Sequence, residues 1–201
     1  MNNYTYIVSS LPVIAREAGK DGSVNSAQVL SEIMEQLSEE DNATLSLLMT
    51  GLKGKELDAE FYRKASDHGC RFIRDYFAFD LNLRNAKARY LNRALGLEES
   101  QDTIVLDEEA EEGFDEAERA AEVLGGRDIL ERERALDGMY WQKIEEITTF
   151  DYFDLDAILA FVAKLHIVDR WFKLDEQTGR EMFRSLVSEV KSTFKGVNYT
   201  E

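Results

Sequence analysis

The chain has 201 residues, and 40 acidic against 24 basic side chains leave it a formal charge of −16. A surface so acidic repels nucleic acid and anionic lipid, which excludes a role in tracking phosphate. Hydrophobic content of 44% excludes a disordered chain, and a single proline, Pro12, favours long helices over a turn-rich β fold.

The length suits one large or two small domains. Cys70 stands alone, so no internal disulfide forms, and the opening Met1-Asn2-Asn3-Tyr4 lacks the basic and apolar regions of a secretory leader. The apolar runs are a handful of residues long, too short to span a bilayer. A soluble protein of a reducing, cytoplasmic compartment is the expectation.

In chain order, Tyr4, Tyr6 and Val8 alternate with polar or small residues and predict a short extended segment before Pro12. Gly19-Lys20-Asp21-Gly22 predicts a turn. Val29, Leu30, Ile33, Met34 and Leu37 then fall at helical spacing, with Asn25 or Ser26 as the cap. A second helix begins at Ser38-Glu39-Glu40-Asp41, and Gly51 and Gly54 are expected to end it. The strongest helical signal runs from Leu57 to Leu95, with Gly69 placed to bend or split it. Within it, residues 71–93 carry six arginines and lysines against two acids, the one clearly basic stretch of the sequence.

Residues 98–118 reverse the sign, with eleven acids and no base. Residues 98–113 are therefore expected to be an acidic linker between helical halves at 1–97 and 114–201. A short helix through Ala117 and Leu124 should end at Gly125-Gly126. A long one follows with Ile129, Leu136, Tyr140, Ile144 and Ile147 in register, where Glu133 is the polar exception. Asp154 opens another, closing near Trp171-Phe172. Asp175 or Thr178 is expected to cap a last helix with Met182, Phe183, Leu186, Val187, Val190 and Phe194 inward. The fold class is all-α, a helical bundle or set of hairpins with a short extended N-terminal segment.

No catalytic constellation stands out. Gly51-Leu52-Lys53-Gly54-Lys55 lacks the spacing and terminal hydroxyl of a phosphate-binding loop and reads as a helix stop. Metal ligation would have to rely on carboxylates, because there are two histidines and one cysteine. His68 and Cys70, two apart on a helix, would point to different faces, and Cys70 reads as a small buried residue. No cofactor and no metal are expected. The aromatics of Phe150, Tyr152 and Phe153 sit where one helix stops and the next starts, a place for an exposed contact patch. Arg84, Lys87, Arg89 and Arg93 are candidates for a docking face on the basic helix, with internal salt bridges as their alternative role.

Residues 79–99, from Phe79-Asp80-Leu81-Asn82-Leu83-Arg84 to Glu99, resemble a stretch of the V-type/A-type ATPase C-subunit family, whose eukaryotic members are called the d-subunit. In that family an arginine-bearing helix with Asp-x-x-Asn-Leu follows an aromatic-rich one. Residues 128–146 are similar to its Glu-Arg-x-x-Asp segment, and residues 153–187, with Val168-Asp169-Arg170-Trp171, to a late helix. The opening from Asn3 to Pro12 resembles a short bacterial family encoded beside V/A-type ATPase subunits. The resemblance implies an all-α, non-catalytic component that links the central stalk to the membrane rotor ring in ion transport. It would be peripheral to the inner membrane through those partner subunits, and too short to be a complete C-subunit. Two other readings remain open: a free-standing helical adaptor or regulator that binds another protein, and an enzyme whose halves bring carboxylates to His68 or His166.

Overall fold

The computed structural model describes residues 4–15, 25–55, 57–106 and 114–173. All regular structure among them is helical. The elements are α1 (Thr5–Ser10), α2 (Ser26–Gln36), α3 (Glu39–Lys53), α4 (Ala59–Ser66), α5 (Arg71–Leu95), α6 (Ala117–Leu124), α7 (Ile129–Ile147) and α8 (Leu155–Lys173). The final helix expected beyond Asp175, the turn at 19–22 and the middle of the acidic stretch at 107–113 lie outside the described residues.

Local chemistry accounts for the ends of these helices. The side chains of Asn25, Ser38, Asp58 and Asp128 each accept a hydrogen bond from a backbone N–H in the first turn of α2, α3, α4 and α7. Asp154 does the same for Ala157 at the start of α8. Such caps satisfy donors that the helix itself leaves unpaired. Gly54 and Gly96 close α3 and α5 at φ +70° and +71°, a backbone that glycine adopts without steric cost.

Two expectations fail here for physical reasons. The N-terminal segment is helix α1, not extended chain. Tyr4, Ile7, Val8 and Leu11 form a three-four stripe that packs on the main core, while Tyr6 is turned out to solvent. Gly51 does not end α3 but lies buried inside it. A Cβ there would collide with the Phe77 ring and lie 2.8 Å from Phe61, so the glycine makes room for α5. Gly69 does split the long helical signal, and Cys70 stands at the position before α5, with no side-chain capping bond, instead of lying within a helix.

The 25-residue α5 is the axis of the molecule and contacts α4, α6, α7 and α8. It runs antiparallel to α7, as the pairs Asp80–Tyr140 and Lys87–Glu133 show. Its ring-rich N-terminal half, with Phe72 stacked on Tyr76 and Phe77 edge-on to Phe61, fills the main core. That core also takes Leu45 and Leu48 from α3 and Ile158 and Leu159 from α8, so it draws on both sides of the acidic stretch. A smaller cluster of Phe79, Leu83, Ala120, Leu124, Leu136 and Met139 joins α5, α6 and α7.

The first part of the acidic stretch is fastened to α5. Asn85 exchanges two hydrogen bonds with the backbone of Ile104, at 2.7 and 3.0 Å, and Asn92 donates to the carbonyl of Gln101 at 2.6 Å. Among the described residues no helix is long and apolar enough to cross a membrane.

Candidate functional site

A cleft of about 170 Å³ opens between α3, α5, α7 and α8, lined by Tyr76, Asp80, Arg84, Asp137, Tyr140 and Arg170 among others. Its chemistry begins with a polar position on an apolar helix face. Asp80 falls in the inward stripe of α5 with Ile73, Tyr76 and Leu83, and is buried. A carboxylate there must be met on all sides. Tyr62 donates to its Oδ2 at 2.7 Å, Tyr140 to Oδ1 at 2.6 Å, and Arg84 Nε to Oδ2 at 2.8 Å. Helices α4, α5 and α7 are thereby tied to one side chain.

Asp137 repeats the arrangement one helix further on. It is buried on α7 and accepts from the Arg170 guanidinium and, at 2.6 Å, from the Trp171 indole, both on α8. Arg134 lies over the Trp171 ring at 5.2 Å and completes the contact. A third ion pair, Lys87–Glu133 at 3.0 Å, lines the more open part of the cleft.

These surroundings shift the titrating groups in one direction. Burial, reinforced by the Asp80 charge, raises the phenols of Tyr62, Tyr76 and Tyr140 well above their ordinary value. Burial alone would lower Arg84, but the Asp80 carboxylate outweighs it and the guanidinium stays charged. The cleft thus holds neutral phenols and charge-paired cations, with the His166 imidazole also on its wall.

The expected docking cations do not share one face. Residues 84 and 89 are five apart, about one and a half helical turns. Arg84 and Lys87 therefore turn to the cleft, while Arg89 and Arg93 turn to a groove of about 270 Å³ floored by Ala86, Ala117 and Ala121 of α5 and α6. Arg84 and Lys87 are ion-paired as above, and Arg93 is paired with Glu99 at 2.8 Å.

His166 reaches the cleft and His68 does not. His68 sits in the turn between α4 and α5, not on a helix, and its Nδ1 accepts the Cys70 N–H at 3.1 Å. Burial, then Arg74, lower its pKa. Burial pushes the Cys70 thiol up to about 12, with Asp156 adding to the effect, so this sulfur is a poor nucleophile. No group of three or more His, Cys, Asp or Glu side chains among the described residues is placed to hold a metal ion.

Phe150, Tyr152 and Phe153 form an exposed knuckle between α7 and α8. Asp80, Asp137 and Tyr140 were not anticipated as site residues. For the two acids the sequence does carry a signal: each stands where the helical period demands an apolar side chain, the same irregularity as Glu133.

Residues 52–194 match the family described as "Protein of unknown function (DUF2764)". The chain belongs to this family. The DUF2764 match takes in α4 to α8 entire, and with them the Asp80–Asp137 cleft, the α5–α6 groove and the knuckle, whereas α1 and α2 precede it. No curated protein and no solved structure matches the chain.

Proposed function

We propose that this chain is a non-catalytic component of a V/A-type rotary ATPase, akin to its C-subunit, linking the central stalk to the membrane rotor ring on the cytoplasmic side. One observation carries the reading. The three separated segments that resemble the C-subunit family supply the cleft's charged pairs: Asp80, Arg84 and Lys87 from the first, Glu133 and Asp137 from the second, Arg170 from the third. Residues scattered over the sequence therefore act as one structural unit, a stiff clamp between α5, α7 and α8. A part that transmits torque needs such a clamp, because interfaces and packed cores transmit displacement only if they do not yield. The cleft's phenols are held neutral and its arginines, lysine and carboxylates are paired with one another, which suits a mechanical role.

Affinity purification of the tagged chain from native membranes tests this, with bound proteins identified by mass spectrometry. Recovery of stalk and rotor-ring subunits together is the expected result. Their absence, from membranes shown to contain intact ATPase, overturns it.

A second reading, a free-standing helical adaptor, is favoured by the exposed knuckle, which needs a protein partner but not this one. The same purification separates the two, since an adaptor returns a partner unrelated to the ATPase.

A further inference from the structure

The knuckle joining α7 to α8 inverts the usual order of a protein surface. Phe150, Tyr152 and Phe153 are 84%, 66% and 49% exposed. The backbone that carries them is anchored at several points. Asp151 is paired with Arg71 at the start of α5, the carbonyl of Phe153 accepts the Tyr4 N–H at 2.8 Å, and Asp154 caps α8. Three rings are thus held in water at a fixed place, and exposed Tyr6 stands two residues beyond Tyr4 on α1.

Charge limits what can cover these rings. Residues 144–163 contain five acids, Glu145, Glu146, Asp151, Asp154 and Asp156, and no base. Arg71 is shared by Asp151 and Asp156, Lys143 is shared by Glu146 and by Glu116 of the preceding segment, and Lys164 pairs with Glu145. Two of these three cations are thus divided between two acids, and the stretch that carries the rings stays acidic. The crowding is felt at Asp151, whose pKa is raised by burial and then by Asp154 in spite of Arg71. Anionic lipid and nucleic acid are repelled by such a surface, and the acids do not converge as a metal site. A ring face beside a carboxylate is instead a receptor for lysine and arginine. The ring attracts the cation, the carboxylate takes its N–H groups, and the aliphatic stem packs on the ring.

We propose that the knuckle docks a basic, amphipathic segment of a partner protein. Apolar side chains of that segment cover Phe150, Tyr152 and Phe153, and its lysines or arginines meet Glu146, Asp151 and Asp154. This names the chemistry of the partner in the reading above and rests on that reading only for where the partner is found.

The test places a photo-crosslinking benzoylphenylalanine at position 152 of the full chain, and in a second version at position 150, in native cells. The captured segment is then sequenced by mass spectrometry. The expected result is one segment in which lysine and arginine outnumber aspartate and glutamate, captured from both positions. Capture repeated in cell lysate should fall about tenfold in raised salt, and should fall with Glu146→Gln, which leaves the Arg71–Asp151 anchor intact, as for a charge-steered contact. Crosslinks to an acidic or neutral segment, to lipid, to a second copy of this chain, or to nothing overturn the inference. A basic segment from a protein outside the rotary ATPase upholds it and overturns the stalk reading. Stalk subunits captured through acidic segments do the reverse.

Discussion

The Asp80 cleft and the aromatic knuckle both use α7, and they break the ordinary division of polar and apolar surface in opposite senses. In the cleft, two carboxylates are buried, and each is met by hydrogen-bond donors from neighbouring helices. At the knuckle, three rings stay in water although the backbone beneath them is fixed. The first irregularity holds the bundle together, so its loss should appear as instability. The second contributes little to folding, so its loss should appear only in the presence of a partner.

The sharpest way to break this comparison is Asp80→Ala. It takes away the carboxylate that accepts from the hydroxyls of Tyr62 and Tyr140 and from the Arg84 guanidinium, leaving that cation without its counter-charge, and should cost about 3–5 kcal/mol in urea unfolding. Asp80→Asn keeps an acceptor and should cost less than the alanine variant.

Gly51→Ala comes next. Its new methyl would overlap the Phe77 ring and lie 2.8 Å from Phe61, so α3 and α5 must part, at a cost of about 1–3 kcal/mol. The melting temperature should fall without loss of helix content in circular dichroism.

A smaller effect follows from titration. Tyr62, Tyr76 and Tyr140 have raised pKa values, chiefly through burial, and Cys70 is raised from 9.0 to about 12. Each is an acid that stays protonated longer in the folded chain, so the unfolded chain releases its protons first. This contribution to stability is complete below the ordinary values, 9.0 for the thiol and 10.0 for the phenols, and declines as pH rises above them. Urea midpoints measured from neutral to alkaline pH should therefore fall, beginning near 9.0. A midpoint that rises over that interval would contradict the burial of these groups.

The smallest effect on stability is expected at the knuckle. Phe150→Ser, Tyr152→Ser and Phe153→Ser combined should change the unfolding free energy by no more than about 1.5 kcal/mol in total, at the surface value of about 0.5 kcal/mol for each site. The same variant should lose its partner. A large loss of stability would mean that the rings are covered within the chain.

Much of the helical frame could be read from the sequence because caps and stripes are local. Ser38 before three acids, and Val29 through Leu37 at helical spacing, need no knowledge of the rest of the molecule. Tyr4 to Val8 misled because alternation over so few residues also satisfies a helical stripe, and only contact with the core decides between them. Gly51 misled for a related reason: whether a glycine stops a helix or admits a neighbour depends on Phe77, which lies on another helix. The separation of Arg84 and Lys87 from Arg89 and Arg93 was available from helix geometry alone. The Asp80 site was not, since its partner Tyr140 is 60 residues away and nothing local pairs them.

The proposal that this chain couples stalk to rotor without doing chemistry itself can be tested in membranes. The most direct measurement compares ATP hydrolysis and ion pumping in vesicles from native membranes, with and without the chain. The account predicts that removing it leaves hydrolysis by the catalytic subunits but abolishes pumping, and that adding the purified chain back restores pumping. Unchanged pumping in vesicles that demonstrably lack the chain would contradict it.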